Sequence, residues 1–364
     1  MRLKFQLLRH RFKIYLGLIL GSIFMVLISF DQYNIPTTSM EGTLRAGDFI
    51  FVNNWSYGYR SPITLLKIPL VTERLAGHFN IHLYSSSIQL DGGRIFAFSK
   101  VKHNDVIVFN YPGDLDFPID FRTRYIKRCV GLPGDTIQIV NRDLFVNGKL
   151  AAKPVNMQHG YFIVSKDTIT SAQWTSIDAT EYEVMDNGTS YYTHLTDWQI
   201  EQVKKWTEVE TIDPVINKPY GLGVDSIDAI EDPNSVFPYH KKFNWSTDYY
   251  GKLWIPYEGA TIKLTEENLI LYGNTIVNYD SPKNTKYMDG MLFIDNQVVS
   301  EYTFKQNYYW VMGDNRHNSA DSRYFGFVPE NHIIGSAKFI WFSNNRSDKN
   351  SRGFRFERIF LGIE

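Results

Sequence analysis

A dense polar segment lies between two apolar, strand-like runs near the end of this 364-residue chain. The segment covers residues 313–329 and reads GDNRHNSADSRYFGFVP, with apolar runs at 308–312 and 333–342 on either side. An ordinary polar loop would be solvated, but a polar run held between two buried strands needs a hydrogen-bond partner for each buried group. The fold must therefore bring such partners to this segment, which constrains the chain more than any other feature.

Most of the sequence after residue 30 has the pattern typical of a β protein. Short runs rich in β-branched and aromatic residues are bounded by turn residues, and Asn147-Gly148 is a hairpin-turn dipeptide. Residues 196–206 are helix-like and residues 213–244, with four prolines, are loop-like. We therefore predict a mostly-β body interrupted by a polar, aromatic-rich insertion. The predicted strands are 48–53, 105–110, 124–130, 136–140, 144–146, 261–264, 269–271, 291–294, 308–312 and 337–342.

Composition excludes some classes of protein. Hydrophobic residues make up 43% of the chain, which is enough for a core, and the net charge of −1 gives no sign of nucleic-acid binding. Cys129 is the single cysteine, so no internal disulfide can form. Its apolar surroundings in the sequence predict inert packing rather than a nucleophile.

The N-terminal 30 residues predict a membrane anchor. Residues 14–30 carry no charge, and 17 residues of helix span about 25 Å. Five cations and no acid precede this stretch, which by the positive-inside rule keeps the N-terminus cytoplasmic. No small-x-small cleavage site follows it, so we predict an uncleaved anchor with the remainder of the chain outside the cytoplasm.

Four blocks, in order behind this anchor, resemble those of the type I signal peptidases, which are membrane-bound Ser-Lys proteases of family S26. The segment at 313–329 closely resembles the last signature block of that family. The three others are 35–44 (IPTTSMEGTL), 47–52 (GDFIFV) and 124–135 (RYIKRCVGLPGD). The resemblance covers the catalytic framework but not the stretches at roughly 59–100 and 150–290.

Elementary chemistry agrees with a Ser-Lys site. A serine hydroxyl becomes a good nucleophile only when a base removes its proton. The nine histidines are scattered and no serine lies in a nucleophile-elbow motif. A lysine can act as the base if burial lowers its pKa from about 10.4 towards 7–8. Lys127 lies in an apolar strand, where such burial is possible.

The hydroxyls of Thr37, Thr38 and Ser39 compete for the nucleophile role on sequence alone. The resemblance singles out Ser39, because Met40 follows it, and it implies that Lys127 is the general base. It also implies that the Thr37 hydroxyl and the Ser39 backbone N–H form the oxyanion hole.

The resemblance assigns supporting roles to two further groups of residues. In the last block, Ser319 and Asp321 would orient the lysine, Arg323 would pair with Asp321, and Asp314 and Arg316 would brace the loop. Small apolar pockets for the substrate would be lined by the three isoleucines Ile35, Ile50 and Ile126.

Two positions depart from the family's pattern. Glu41-Gly42 follows Ser39-Met40 where many relatives have a residue and then Pro, and His317 stands where relatives often have Asp. We expect neither position to touch the chemistry. The spacing of His78 and His82 allows a metal pair, but no third ligand or adjacent Glu supports zinc, so we predict no metal and no cofactor.

The sequence thus predicts a mostly-β, signal-peptidase-like catalytic domain with an inserted second region, preceded by one transmembrane helix. The predicted parts are a basic cytoplasmic tail (1–13), the helix (14–30), a catalytic β-domain (31–140 and 308–364) and an inserted accessory region (141–307). The predicted function is a monomeric, inner-membrane type I signal peptidase that removes signal peptides from exported pre-proteins on the outer face. It would contact the lipid bilayer and no nucleic acid.

Two other functions remain open at this stage. One is a self-cleaving Ser-Lys protein similar to the LexA repressor, although no DNA-binding module precedes the protease blocks. The other is a membrane-anchored β-domain that binds exported chains without cutting them.

Overall fold

The structure is a computed structural model. It describes residues 12–19, 21, 29–61, 63–67, 84–90, 93–97, 99–179, 181–219, 229–232, 235–281, 284–345 and 353–364. His78 and His82 lie outside these residues.

Short strands dominate the described chain. The first fifteen are β1 Phe30–Asn34, β2 Asp48–Asn53, β3 Tyr59–Arg60, β4 Thr64–Lys67, β5 Tyr84–Gln89, β6 Arg94–Ile95, β7 Val106–Asn110, β8 Arg124–Gly131, β9 Thr136–Val140, β10 Asp143–Val146, β11 Lys149–Leu150, β12 Gln158–Ser165, β13 Tyr182–Met185, β14 Ser190–Thr196 and β15 Val209–Pro214. The others are β16 Asn217–Pro219, β17 Ala229–Glu231, β18 Tyr250–Trp254, β19 Thr261–Lys263, β20 Thr285–Met288, β21 Met291–Ile294, β22 Gln297–Val298, β23 Glu301–Thr303, β24 Tyr308–Met312, β25 Val328–Pro329, β26 Ile333–Asn345, β27 Gly353–Phe354 and β28 Leu361–Gly362.

Helices are few and short by comparison. The α-helices with described bounds are α1 Ser171–Ser176, α2 Asp197–Val203, α3 Glu266–Thr275 and α4 Ser322–Phe325. Residues 12–19 are also helical. A π-helical turn, Ile276–Asp280, continues α3, and 3-10 turns lie at Ile119–Phe121, Asp186–Gly188, Glu330–His332 and Phe356–Arg358.

The central sheet joins segments that are far apart in sequence. Its main path has the order β1-β2-β26-β7-β8-β24-β25, and every pairing along it is antiparallel. All four motif blocks lie in or directly beside these strands. Within this sheet Lys127 of β8 lies opposite Ile107 of β7, and Ile126 lies opposite Val108.

Two four-stranded sheets accompany the central sheet, besides smaller sheets of two or three strands. Strands β11-β10-β9-β18 form one sheet, whose core merges with α3 and β24. Strands β13-β14-β12-β15 form another, which packs against α1 and α2 around Trp174 and Tyr191. The predicted boundary at residue 140 falls at the end of β9, inside the β9–β10 hairpin.

The helix-like stretch at 196–206 contains a true helix, as predicted. Thr196 is the N-cap of α2, and its side chain and that of Gln199 form a reciprocal capping box. Such a box satisfies two backbone N–H groups that the first turn of a helix would otherwise leave unpaired.

The prediction of a strand at 269–271 is wrong, because these residues lie in α3. Thr265 caps that helix by accepting from the Asn268 N–H, and Glu266 and Glu267 lie in its first turn, where negative charge is favourable. A short apolar run fits a strand or a buried helix equally well, and here the cap decided the outcome.

The predicted loop at 213–244 is also partly wrong. Its residues include β16 and β17, which pair with each other in parallel.

The predicted end of the membrane helix needs correction as well. Phe30 is the first residue of β1 and pairs with Asn53 of β2, so it belongs to the sheet. Residues 20 and 22–28 of the predicted helix lie outside the described chain. Among the described residues, no helix combines the length and the apolar character that a membrane crossing requires.

A buried carboxylate fastens the C-terminal segment to the start of the fold. Asp48 is fully buried and accepts hydrogen bonds from Ser343 Oγ (2.6 Å), Arg358 Nη2 (2.7 Å) and the Arg45 N–H (2.8 Å). Arg358 Nη2 also donates to the Thr43 carbonyl at 2.9 Å. Residues 43–48 are thereby held between the sheet and the C-terminal segment.

We expect Asp48→Asn to destabilise the protein by about 3–5 kcal/mol, because Arg358 would keep a buried charge without its counter-ion. The matched control is Asp143→Asn, since Asp143 pairs with Lys153 on the surface and such pairs contribute at most about 1 kcal/mol. Urea unfolding followed by tryptophan fluorescence measures both changes. Equal losses of unfolding free energy in the two variants would contradict the structural role of Asp48.

Candidate active site

The segment that carries Ser39 is a compact turn closed by its own backbone. The Glu41 N–H donates to the Thr38 carbonyl (2.9 Å) and the Leu44 N–H to the Met40 carbonyl (2.7 Å). Met40 and Leu44 are buried in the core beneath the turn, whereas Ser39 keeps 9% of its surface exposed. The turn therefore presents the Ser39 side chain at the edge of the core.

The Ser39 and Lys127 side chains meet although they are 88 positions apart in the sequence. Lys127 Nζ lies 2.6 Å from Ser39 Oγ and donates a second hydrogen bond to the Ile126 carbonyl at 3.0 Å. The contact to Ser39 Oγ lies within the reach that proton transfer needs, and the bond to the carbonyl helps to fix the direction of the amine. The arrangement places a candidate nucleophile next to a candidate base.

The lysine side chain is almost completely buried. Its residue is 4% exposed. Burial lowers the pKa of Lys127 from its ordinary value to about 8, and the charges of Asp321 and Asp314 oppose that shift. Removal from water disfavours the ammonium form, which is the expected cause. Much of the Lys127 amine is therefore neutral in the mildly alkaline range.

Asp321 and Arg323 form the ion pair that the sequence predicted. Arg323 Nε and Nη2 donate to the two carboxylate oxygens of Asp321 at 2.9 Å each, and the Gly313 N–H donates to it at 3.0 Å. Burial alone would raise the pKa of the Asp321 carboxyl, but the charge of Arg323 leaves it below its ordinary value. The carboxylate thus stays ionised and holds the block from both ends.

Asp314 forms a second bidentate pair, with Arg128. Arg128 Nε and Nη2 lie 2.8 and 2.7 Å from the Asp314 carboxylate, which also accepts from Thr43 Oγ1 at 2.6 Å. The pair connects the last block to the residue after Lys127 and to the turn that carries Ser39. Arg128 and Thr43 were not singled out by the sequence analysis, although both lie in the quoted blocks.

Ser319 lies beside Ser39 but makes no hydrogen bond to Lys127. Its buried hydroxyl has no partner among the described residues. A Cβ added at Gly313 would lie 2.2 Å from Ser319 Oγ and 2.4 Å from the Ser39 carbonyl oxygen, so only glycine allows this approach. The predicted role of Ser319 in orienting the lysine therefore stays a prediction.

The backbone of the last block also holds the Ser39 turn. The Asn315 N–H donates to the Ser39 carbonyl at 3.2 Å, and Asn318 Nδ2 donates to Thr38 Oγ1 at 3.0 Å. Arg316 contributes to bracing through its main chain, since its N–H donates to the Gln158 carbonyl at 2.9 Å.

His317 connects the block to the inserted region. Its Nδ1 accepts from the Gly160 N–H at 2.9 Å, and its Nε2 lies 2.9 Å from the Asp248 carboxylate. Both side chains are 2% exposed. Sequence analysis noted His317 only as a departure from the family pattern and could not identify Asp248, which is 69 positions away.

The two proposed oxyanion donors lie on the same turn. Thr37 is exposed, so its hydroxyl is accessible to a ligand. The Ser39 N–H has no acceptor among the described residues. Backbone and hydroxyl donors in such positions can stabilise a negative oxygen that develops near Ser39 Oγ.

The three predicted pocket residues belong to one apolar cluster. Ile35 and Ile50 are buried, Ile126 is partly buried, and all three pack in the cluster that contains Met40. Branched apolar side chains therefore fill the space around the residue next to Ser39.

Cys129 lies two residues after Lys127 and is fully buried. Burial raises the pKa of its thiol well above the ordinary value. A protonated, inaccessible thiol does not compete with Ser39 as a nucleophile.

Comparison with known families gives a match over most of the chain. The model described as "Signal peptidase, peptidase S26" matches residues 8–198 and 238–342. These ranges contain every site residue discussed above.

Similar curated proteins carry the name signal peptidase I. The protein from Haemophilus influenzae is 24% identical over 355 residues, which is 95% of this chain and 73% of the relative. That from Buchnera aphidicola of Acyrthosiphon pisum is 26% identical over 91% of this chain and 74% of the relative. That from Rickettsia typhi is 26% identical over 86% of this chain and 72% of the relative.

Proposed function

The chain belongs to the signal peptidase family, peptidase S26, and from this premise we propose that Ser39 and Lys127 are its catalytic dyad. The protein is a type I signal peptidase, a serine endopeptidase whose substrates are precursors with signal peptides. The observation that carries the proposed dyad is the 2.6 Å contact between Lys127 Nζ and Ser39 Oγ in a buried site.

The proposed reaction begins with proton transfer within this pair. Neutral Lys127 takes the proton of Ser39 Oγ as the oxygen attacks the scissile carbonyl carbon. The carbonyl oxygen becomes an oxyanion, which the Thr37 hydroxyl and the Ser39 N–H stabilise. When the tetrahedral intermediate collapses, the carbon–nitrogen bond breaks and the Lys127 ammonium gives its proton to the leaving amine.

Hydrolysis of the acyl-enzyme completes the cycle. A water molecule attacks the ester of Ser39 while Lys127, again neutral, accepts the water's proton. The ester bond then breaks and the proton returns to Ser39 Oγ. No step requires a metal or a cofactor.

The surrounding residues have positioning roles in this proposal. Asp321 with Arg323, and Asp314 with Arg128, fix the block that packs against Ser39, and Ser319 and Arg316 belong to the same block. Substrate choice follows from Ile35, Ile50 and Ile126, because their branched side chains leave room only for small residues beside the scissile bond.

We assign the catalytic domain to residues 31–140 and 308–364 and an accessory region to residues 141–307. In support, the strands around Lys127 and the last block share the central sheet, whereas β12 to β15 have a core of their own. We propose that the enzyme works as a monomer and needs no nucleic acid.

One prediction concerns the proposed dyad of Ser39 and Lys127. We expect Ser39→Ala and Lys127→Arg each to abolish cleavage of a model pre-protein. Ser39→Ala removes the attacking oxygen, and the arginine of Lys127→Arg keeps the charge but does not deprotonate near neutral pH. The control is Lys166→Arg at an exposed position, which should cleave at the wild-type rate. Circular dichroism verifies folding. A folded Ser39→Ala variant with substantial activity would favour a different nucleophile, and an inactive wild-type protein would favour a domain that only binds exported chains.

The pKa of Lys127 sets the expected pH profile. Below a pKa of about 8 the amine is protonated and cannot act as a base, so kcat/KM should rise about tenfold per pH unit there and level off above it. Rates measured between pH 6 and pH 10 give the profile. A profile that still rises steeply at pH 10 would mean that Lys127 keeps an ordinary pKa.

A further prediction tests whether the Thr37 hydroxyl is an oxyanion donor or an ordinary turn hydroxyl. Thr37→Val keeps the shape of the side chain but not its hydroxyl, so the loss of transition-state stabilisation should be about 2.7–4 kcal/mol, seen mainly in kcat. Thr37→Ser, which keeps a hydroxyl at this position, is the matched control and should remain active. A Thr37→Val variant within about twofold of wild type would leave this hydroxyl a structural role only.

We also propose that residues 14–29 anchor the enzyme in the inner membrane, with the N-terminus cytoplasmic and the catalytic domain outside. The five cations before residue 14 support this orientation, and Ser39 lies only nine positions after Phe30. The active site would then lie close to the outer face of the bilayer, where the cleavage site of a signal peptide emerges. Protease added outside spheroplasts should digest residues 39–364, and full protection of that region in sealed spheroplasts would contradict the topology.

A further inference from the structure

A cavity of about 380 Å³ lies behind the catalytic strand, between the β9–β10–β11 sheet and the last block. Its volume is in the range of small-molecule sites. No Asp or Glu is among the described residues that line it. Its lining includes four apolar residues and two arginines: Val130, Leu144, Val146, Met157, Arg142 and Arg316.

Arg316 brings to this cavity a buried cation that has no ion-pair partner among the described residues. The residue is 5% exposed, its Nε is buried without a partner, and its side chain forms no ion pair among the described residues. The two carboxylates of its own block are already occupied, Asp314 by Arg128 and Asp321 by Arg323. A buried guanidinium without a counter-ion is costly, so the position favours an anion that the described part of the chain does not supply.

Arg142 provides a second guanidinium with an unused donor. Its Nη1 is buried and has no partner among the residues that the structure describes, and its guanidinium carbon lies 5.5 Å above the ring of Tyr161. Its backbone has a φ of 72°, a conformation that a bulky side chain rarely adopts, and its N–H donates to the Asp248 carbonyl at 3.1 Å. The turn is thus fixed and places Arg142 in the lining of the cavity that Arg316 also lines.

The surroundings of the two arginines are electropositive. Burial lowers the pKa of the neighbouring His159 well below its ordinary value, and the charges of His317, Arg142 and Arg316 lower it further. The imidazole is therefore neutral and does not add a third positive charge.

The opposite wall of the cavity is apolar. Val130, Leu144, Val146 and Met157 supply it, so a ligand must combine an anionic group with a compact hydrocarbon part. Guanidinium groups bind the oxygens of carboxylates and phosphates through paired N–H donors. We propose that this cavity binds an organic oxyanion, a carboxylate or phosphate on a short apolar body, with Arg316 and Arg142 as its receptors.

Calorimetric titration of the full chain in an uncharged detergent tests the site. The probes are octanoate, inorganic phosphate, short-chain phosphatidylglycerol below its micellar concentration, and octanol as the uncharged equivalent. We expect one molecule of octanoate or phosphatidylglycerol per chain, bound at least tenfold more tightly than octanol. Tighter binding of phosphatidylglycerol than octanoate assigns a lipid headgroup as the source of the anion, and the reverse assigns a free organic acid.

Variants assign the binding to the two arginines. Arg316→Gln and Arg142→Gln should each weaken octanoate binding at least tenfold, whereas Lys166→Gln, which removes an exposed cation outside the cavity, should not change it. If Arg316→Gln does not fold, Arg142→Gln decides alone, because it lies on a surface turn. Wild-type affinity in the folded arginine variants, or no binding of any probe, would overturn the proposal. Binding by Ser39→Ala keeps this result separate from that of the proposed peptidase activity.

Discussion

The proposed role of Lys127 as a base for Ser39 depends on keeping water away from the lysine amine. Lysine is a useful base only where its charged form is disfavoured, and burial supplies that condition here. A carboxylate in direct contact with the amine would cancel this effect of burial, since an ion pair would raise the pKa of Lys127. Asp314 and Asp321 are close enough to oppose the shift, but their oxygens are occupied by arginines. The pairing of these carboxylates with arginines thus helps to keep the pKa of Lys127 low and also stabilises the loop.

Three buried Asp–Arg pairs hold the segments that meet at the site. Asp314 with Arg128 connects the last block to β8, Asp321 with Arg323 closes that block on itself, and Asp48 with Arg358 fastens residues 43–48 to the C-terminal segment. Bidentate pairs have a fixed geometry, so they set position as well as contributing energy. Such precision matters because displacing a catalytic group by about 1 Å can lower a rate about a hundredfold.

The inserted region takes part in the same scaffold. Asp248 and Gly160, which lie outside the central sheet, form hydrogen bonds with His317, and Gln158 forms a backbone bridge to Asn315. Asp178 adds an ion pair to Arg45 of the Ser39 turn. The geometry of the active site therefore depends on residues in a part of the chain where no motif was found.

The sequence alone determined the order of the four blocks, most strands of the central sheet, and the identities of Ser39, Lys127 and the Asp321–Arg323 pair as candidates, because these features are local or are carried by short motifs. It did not determine that residues 269–271 are helical, since the cap at Thr265 outweighed an ambiguous apolar run. Only the tertiary structure decided the lowered pKa of Lys127, the Arg128–Asp314 pair and the link from His317 to Asp248. It also decided the burial of Arg316 without an ion-pair partner among the described residues. Each of these depends on burial or on contacts between residues far apart in the chain, and neither the desolvation of a side chain nor the identity of its distant partner is written in its sequence neighbours.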